Sequence, residues 1–404
     1  MLIGILVGTG IGVLLGTVSG LVPGIHANTM AGVLLSLQAA LLAYLDPAVL
    51  ATAMFAALVT HTFLDIVPST FLGIPDADTA LAVLPAHALC LEGRGEEAVR
   101  ISALGSALGV VLALPLLVLF FSLLPSLQPA IDWGIGLLIL AVAGFLIVIS
   151  ESPGWAAAIF GVSGLLGLFT FRYSYLAWHT VGDSAVLMPL LAGLFGISVL
   201  LTASRGAMPP QEPGGPSGEE CAVVKGSVLG AAAGALVGWL PGLSNATANA
   251  LLTGAIGYDS RPRDYILATG AANTVNAFLA LAAFYALGRT RNGVMVALSA
   301  GDVPPLTGLL LGGVLAALAA YLLTVRTAAF ASLLGSVDAA RLNYGVIVFV
   351  VLLSLLLSGP FGGLVLLLAV AVGLVPQMVN VRRVYCMGAI MLPVMLSSFG
   401  ILLL

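Results

Sequence analysis

Charge is what this chain has least of. Asp, Glu, Lys and Arg make up 7% of its 404 residues, against 60% hydrophobic residues, whereas a soluble domain carries about 25% charged residues. With a mean hydropathy of +1.17, that scarcity excludes a water-soluble globular protein and predicts an integral membrane protein. Apolar runs recur from end to end, which excludes a single anchor with a soluble domain attached. Alternating ten-residue segments are missing, which argues against a β-barrel. Met1-Leu2-Ile3-Gly4 has no basic region and no small-residue cleavage site follows, so the opening run reads as a first membrane segment and not as a removable signal. Cys90, Cys221, Cys386 and the four histidines lack any metal-ligand spacing, and the cysteines read as small apolar residues. A Ser-His-Asp spacing, a nucleotide loop and a zinc motif are absent too. No catalytic residue and no nucleic-acid partner is therefore assigned.

What is present is glycine in a pattern. Gly8, Gly12, Gly16 and Gly20 lead into Pro23-Gly24, and Gly226, Gly230, Gly234 and Gly238 lead into Pro241-Gly242. Four-residue spacing sets the glycines on one helix face, where another backbone can approach closely. Proline removes a ladder donor and glycine relaxes the backbone, so each helix is expected to break there, with unpaired backbone groups beside small polar side chains. Interrupted helices at matching places in two halves point to a transporter's binding site. The match continues with Leu123-Leu124-Pro125-Ser126 against Leu333-Leu334-Gly335-Ser336, Leu187-Met188-Pro189 against Met391-Leu392-Pro393, and Phe195-Gly196-Ile197 against Phe399-Gly400-Ile401. The expectation is an all-α, polytopic membrane protein of two repeats, residues 1–203 and 223–404. A linker, residues 204–222, rich in proline, glycine and glutamate, joins them.

Basic residues orient the repeats, because Lys and Arg accumulate in cytoplasmic loops. Arg94 and Arg100 lie in the second loop of the first half, whereas Arg261 and Arg263 lie in the first loop of the second. Arg326 and Arg341 answer a loop, Pro125 to Asp132, that has no basic residue. Equivalent loops then face opposite sides, which makes the repeat inverted. The trace puts both termini outside and the linker in the cytoplasm of a multi-pass protein of the cell membrane, with about 10–14 membrane segments. Spans fall near residues 48–91, 98–125, 130–150, 153–170 and 185–203. Residues 2–45 form either two spans or one span and a re-entrant hairpin.

Three groups of residues could carry chemistry. After each break, a short helix would aim its amides at a cavity and favour an anion such as carboxylate. Pro23, Gly24, His26, Asn28 and Thr29 in one half and Pro241, Gly242, Ser244, Asn245, Thr247 and Asn249 in the other are the candidate solute site, and freed carbonyls there suit Na⁺. The alternative is a packed hairpin whose polar residues only satisfy broken backbone. Ionisable residues at membrane depth cost at least ~2.5 kcal/mol, which singles out His61 and Asp65, one turn apart, followed by Asp76 and Asp78. Asp65, Asp76, Asp78, Asn273 and Asn276 are the candidate coupling-ion residues, for Na⁺ or a proton; a His61–Asp65 pair holding helices in register is the structural alternative. Arg289 and Arg291 align with Asp76 and Asp78. They would either clamp an anionic solute bidentately or neutralise those carboxylates between halves. Glu92 to Glu97 and Arg382-Arg383 read as solvated loops, and Tyr173, Tyr175 and Trp178 as an interfacial belt.

These motifs resemble the tripartite tricarboxylate transporter permeases, the TctA-like large membrane subunits, and in particular their archaeal branch. The resemblance rests on the doubled Gly-ladder/Pro-Gly motif and on Phe71-Leu72-Gly73-Ile74-Pro75. Asp78 through Leu84-Pro85 to Leu91, Gly93-Arg94-Gly95, Ala98, and the closing Leu-Met-Pro and Phe-Gly-Ile patterns complete it. It covers most of the chain. It implies secondary uptake of a di- or tricarboxylate-like anion driven by a Na⁺ or proton gradient, with no other cofactor. The partners it implies are an extracytoplasmic solute-binding protein and a small membrane subunit, besides the lipid bilayer and the carboxylate solute, with a homodimer left open. Two departures stand out: Asp76 follows Ile-Pro where glycine is expected, and Pro85-Ala86-His87 replaces an Asp-Gly-Tyr-Pro-like element. A partner-dependent subunit without transport of its own, and an intramembrane metal-dependent enzyme using Asp65, Asp76 and Asp78, are the rival readings.

Overall fold

The computed structural model describes residues 2–22, 41–73, 83–148, 150–178, 186–202, 209–213, 221–240, 245–256, 260–299, 304–331 and 339–401. Helices account for nearly all of them, and no strand occurs among the described residues. The first half contains α1 (Leu2–Leu21), α2 (Pro47–Leu64), α3 (Ile66–Leu72), α4 (Val83–Leu91), α5 (Gly95–Val148), α6 (Pro153–Arg172), α7 (Leu187–Leu191) and α8 (Ser198–Thr202). A π-helical turn, Ala192–Ile197, joins the last two. The second half contains α9 (Val223–Trp239), α10 (Asn245–Ile256), α11 (Pro262–Leu287), α12 (Gly293–Ser299), α13 (Leu306–Ala331), α14 (Ala339–Met378, two helical stretches joined across a kink at the left-handed Gly359) and α15 (Gly388–Ser398). Among the described residues seven helices are long and apolar enough to cross a membrane, and shorter apolar helices include Val223–Trp239 and Arg383–Ser398. The protein is an all-α polytopic membrane protein.

The glycine ladders explain how each half is assembled. Gly8 packs on Val49, Gly12 on Ala53 and Ala56, Gly16 on Ala57 and Thr60, and Gly20 on Leu64. A Cβ at Gly12 would stand 2.5 Å from the Ala53 carbonyl oxygen and from the Ala56 Cβ, so only glycine allows this approach. In the second half Gly226 packs on Leu267 and Asp264, Gly230 on Ala268, Gly234 on Ala272, and Gly238 on Leu279 and Asn276. In both halves the ladder helix therefore runs parallel to the next long helix, which lies buried along most of its length. Local signals bound those two buried helices alike. Each starts with proline at its first turn, Pro47 after the N-cap Asp46 and Pro262 after Arg261; α11 ends on the left-handed Gly288, and α2 with its continuation α3 ends on the left-handed Gly73. Proline is favoured at the first helical position and glycine just past the last.

The two buried helices meet in opposite directions. Phe55 stands edge-on to Phe278, with ring centroids 5.4 Å apart, Thr62 faces Thr274 and Asp65 faces Asn273. The halves also exchange their next helices. Gly105 and Gly109 of α5 press on Leu267 and Ala271 of α11, while Gly312 and Gly313 of α13 press on Thr52 and Phe55 of α2. The exchange recurs in the later helices, where Gly167 of α6 meets Ala389 of α15, and Gly193 beside α7 meets Ala369 of α14. One apolar core gathers around α2, α11, α12 and α13, and another around the end of α5, α6, α14 and α15.

Two expectations differ from the structure. Pro125 to Asp132 is not a turn: α5 is helical without interruption from Gly95 to Val148, with Pro115, Pro125 and Pro129 inside it. Each proline deletes one backbone donor but holds φ at a helical value, and the flanking run stays apolar. Glu96 and Glu97 are not solvated. They form the first turn of α5, are buried, and are paired: Glu97 accepts from Arg94 at 2.7 Å and from Arg263 at 2.8 Å, and Glu96 from Arg100 at 2.6 Å. The Glu97–Arg263 pair ties the first half to the second. Part of the linker is pinned to the same corner, where Gln211 accepts from the Gly95 amide and donates to the Cys90 carbonyl.

Candidate functional site

α9 and α10 form a hairpin against α11. The ladder sets the start of α9 level with Asp264 and its end level with Asn276 and Leu279, so the tip lies about two-thirds of the way along α11. The chain then returns through α10 to Arg261, beside the start of α11. In the second half the two short helices α9 and α10 thus both pack on α11. Pro241, Gly242 and Ser244, at the tip, lie outside the described residues, as do Pro23, Gly24, His26, Asn28 and Thr29 of the first half, and Asp76 and Asp78.

Three polar side chains converge beside that tip, one from each of three separated segments. Asp65 sits where α2 gives way to α3; its backbone N–H still bonds the His61 carbonyl and its own carbonyl accepts from the Ser69 hydroxyl. Pro68 has no N–H, so the Leu64 carbonyl loses its helical donor at the same place. Asn273, midway along α11, donates its side-chain amide to Asp65 Oδ2 at 2.7 Å. Asn245, the first residue of α10, donates in turn to Asn273 Oδ1 at 2.6 Å. Asp65, Asn273 and Asn245 are 2%, 5% and 2% exposed, so the chain of hydrogen bonds runs through the interior. Polar contacts surround it: His61 Nδ1 with the Ser19 hydroxyl at 3.1 Å, Thr62 with Thr274 at 3.1 Å, and Ser106 donating to the Gly270 carbonyl at 3.1 Å.

The remaining candidates fall nearby or elsewhere. Asn276 packs against Gly238 at the end of the ladder. Asn249 is buried one turn beyond Asn245, and its carbonyl accepts from the Tyr265 hydroxyl at 2.8 Å. Thr247 lies in α10 between them, with its side chain outside the described residues. Arg291 reaches the hairpin from the loop after α11. Its guanidinium donates to the Val237 carbonyl at 2.9 Å and to the Leu240 carbonyl. Pro241 would have been the helical donor to Val237 and has none to give, so Arg291 supplies the missing bond and places positive charge at the negative end of the α9 dipole. Burial and the neighbouring Arg289 lower its pKa to about 10, which leaves it charged at neutral pH. Arg289 lies beside it, half-buried.

Replacing Arg291 by alanine is expected to leave two carbonyls without their donor and to lower stability by about 2–3 kcal/mol. Arg291→Lys, which reaches one carbonyl at a time, recovers part of it. Thermal unfolding of the purified variants in one detergent measures both.

Sequence reasoning nominated Asp65, Asn273 and Asn245 separately, but did not connect them, and missed Ser19 and Ser106, whose residue types carry no signal in an apolar helix. No group of three His, Cys, Asp or Glu side chains fit to hold a metal occurs among the described residues. No solved structure matches the chain. The uncharacterized protein MJ1079 of Methanocaldococcus jannaschii is similar, 26% identical over 226 residues, and the match covers 55% of each chain, so this chain spans about half the length of that curated relative. The family model described as the tripartite tricarboxylate transporter TctA family matches residues 6–388. With doubled glycine ladders, a hairpin of two short helices and a match over nearly its whole length, this multi-pass membrane protein belongs to the tripartite tricarboxylate transporter TctA family.

Proposed function

We propose that the protein is a secondary active transporter that carries a small organic anion, of di- or tricarboxylate type, across the cell membrane. The solute is held where the α9–α10 hairpin meets the crossing of α2 and α11, and a Na⁺ or proton gradient drives it. The observation that carries the reading is the buried Asp65–Asn273–Asn245 chain, which links the two halves beside a helix break. Amides at the start of α10 and the Asn245 side chain supply donors for carboxylate. Arg291 holds the broken end of α9 in place, and Arg289 adds positive potential nearby. The repeats, residues 1–203 and 223–404, rock against one another about this site, with the linker cytoplasmic and the two termini outside.

Uptake of labelled citrate into proteoliposomes, under imposed Na⁺ or proton gradients, tests this. Gradient-driven accumulation is expected, and Asn245→Ala should reduce it about tenfold or more, the loss of one hydrogen bond to a charged solute. Uptake that is indifferent to Asn245→Ala would place the solute elsewhere. A second reading has support in the tripartite character of the family: transport that needs an extracytoplasmic binding protein and a small membrane subunit. Citrate uptake appearing only when those proteins are added would select it.

A further inference from the structure

We propose that the Asn245–Asn273–Asp65 chain ties binding of an anionic solute to protonation of Asp65, so that the coupled ion is a proton. The inference rests on the function proposed above. Its basis is the polarity of three side chains. An ionised carboxylate can only accept hydrogen bonds, so Asn273 turns its NH₂ towards Asp65. Its carbonyl oxygen then faces Asn245, which must donate as well. That leaves Asn245 Oδ1 as the end of the chain, a buried acceptor with no hydrogen-bond partner among the described residues.

An anion arriving at that end meets an oxygen lone pair. It is received at that end when Asn245 turns its amide and offers its NH₂ there instead. The turned amide would set two carbonyl oxygens face to face, so Asn273 turns too, and its oxygen now points at Asp65. Two acceptors at hydrogen-bond distance are tolerable only when Asp65 carries a proton and becomes the donor. A proton from water therefore adds to a carboxylate oxygen of Asp65 as the solute binds, and returns to water as the solute leaves; no other covalent bond changes. The spacing favours a proton over a metal ion. Asn273 Nδ2 and Asp65 Oδ2 stand 2.7 Å apart, a direct hydrogen bond with no room between the two atoms for a cation at about 2.3–2.6 Å from each.

Other groups that titrate or carry charge stand on the helices packed around Asp65. His61 is one turn back on α2, with Nδ1 bonded to Ser19, and His87 on α4 bonds the Thr70 carbonyl. Cys90 is on α4, Arg94 just precedes α5, and Arg326 is on α13. Glu96, Glu97 and Arg100 open α5 and pair with one another or with Arg94 and Arg263, while Asp264 pairs with Arg261. α1 brings only the Ser19 hydroxyl to this place.

Calorimetry of citrate binding to the full chain in lipid nanodiscs, run in two buffers of different ionisation enthalpy at a pH where citrate is fully ionised, counts the protons taken up. The wild type is expected to take up close to one proton per citrate, and its affinity to fall about tenfold per pH unit above the Asp65 pKa. In Asp65→Asn, whose amide can face either way, uptake falls to zero and the affinity becomes flat with pH. Asn273→Leu cuts the chain, so citrate still binds but without proton uptake. Na⁺-dependent binding without proton uptake by the wild type overturns the proposal, as does undiminished proton uptake in Asp65→Asn. Folded wild type that binds no citrate at all would instead bring down the proposed function, and the proton linkage with it.

Discussion

Gly12→Val is expected to abolish recovery of folded protein, while Gly10→Val, two residues away on the same helix, leaves it unchanged. Gly12 lies against the Ala53 carbonyl and the Ala56 methyl, whereas a Cβ at Gly10 would meet nothing within 4 Å. Helix association in a membrane has no hydrophobic drive of its own and depends on close backbone approach. A valine at Gly12 must push α1 off α2 along a seam that also contains Gly8, Gly16 and Gly20. Overpacking costs typically about 1–3 kcal/mol when side chains can yield; here backbone is the obstacle, so the cost lies at or above the upper end. Gly230→Val should behave like Gly12→Val, because its Cβ would overlap the Ala268 carbonyl. Size-exclusion chromatography and thermal unfolding in detergent read all three. Equal recovery of Gly10→Val and Gly12→Val would mean that the ladders do not hold the helix pairs together.

Glu97→Ala is expected to cost about 3–5 kcal/mol, the usual loss on breaking a buried ion pair from one side. Glu97 is held by Arg94 and Arg263, and its side chain is almost wholly enclosed. Removing it leaves two guanidiniums facing each other at the corner where α5 meets α11, and removes a carboxylate from the start of α5, where the helix dipole favours it. Arg263→Met in the Glu97→Ala background should restore a large part, since the second charge no longer needs a partner. A double-mutant cycle on unfolding temperature measures the coupling. Additive losses would mean that the pair contributes nothing beyond its separate contacts.

The first of these results depends on features legible in the sequence, the second on features that were not. Gly8, Gly12, Gly16 and Gly20 and their second-half counterparts announce a close seam because helical periodicity is local. The caps Asp46-Pro47 and Pro262, and the glycine stops Gly73 and Gly288, are likewise readable from a few neighbouring residues. Glu97 looked like a loop residue because nothing in Glu92 to Arg100 reveals that Arg263, more than 160 residues on, lies within hydrogen-bond reach. The same limit applies to Arg291, whose residue type suggested a solute clamp, while its bonds to Val237 and Leu240 show it completing a helix end. Pro125 misled in the opposite sense, since proline marks a turn only where the surrounding helix has nothing else to hold it.

By itself the amino-acid sequence determined that this is an all-helical membrane protein, and it raised the expectation of two like halves with a broken helix in each and polar residues worth watching at Asp65, Asn245 and Asn273. Composition and periodicity suffice for that, because lipid forces every backbone group to be satisfied within helices. Only the tertiary structure decided that the halves exchange helices, that the hairpin of α9 and α10 ends beside the middle of the chain's most buried crossing, and that three polar residues from distant segments form one hydrogen-bonded line. The reason is physical: a hydrogen bond reaches about 3 Å, and which atoms come within that reach is set by how glycine faces let the helices pack, not by their order along the chain.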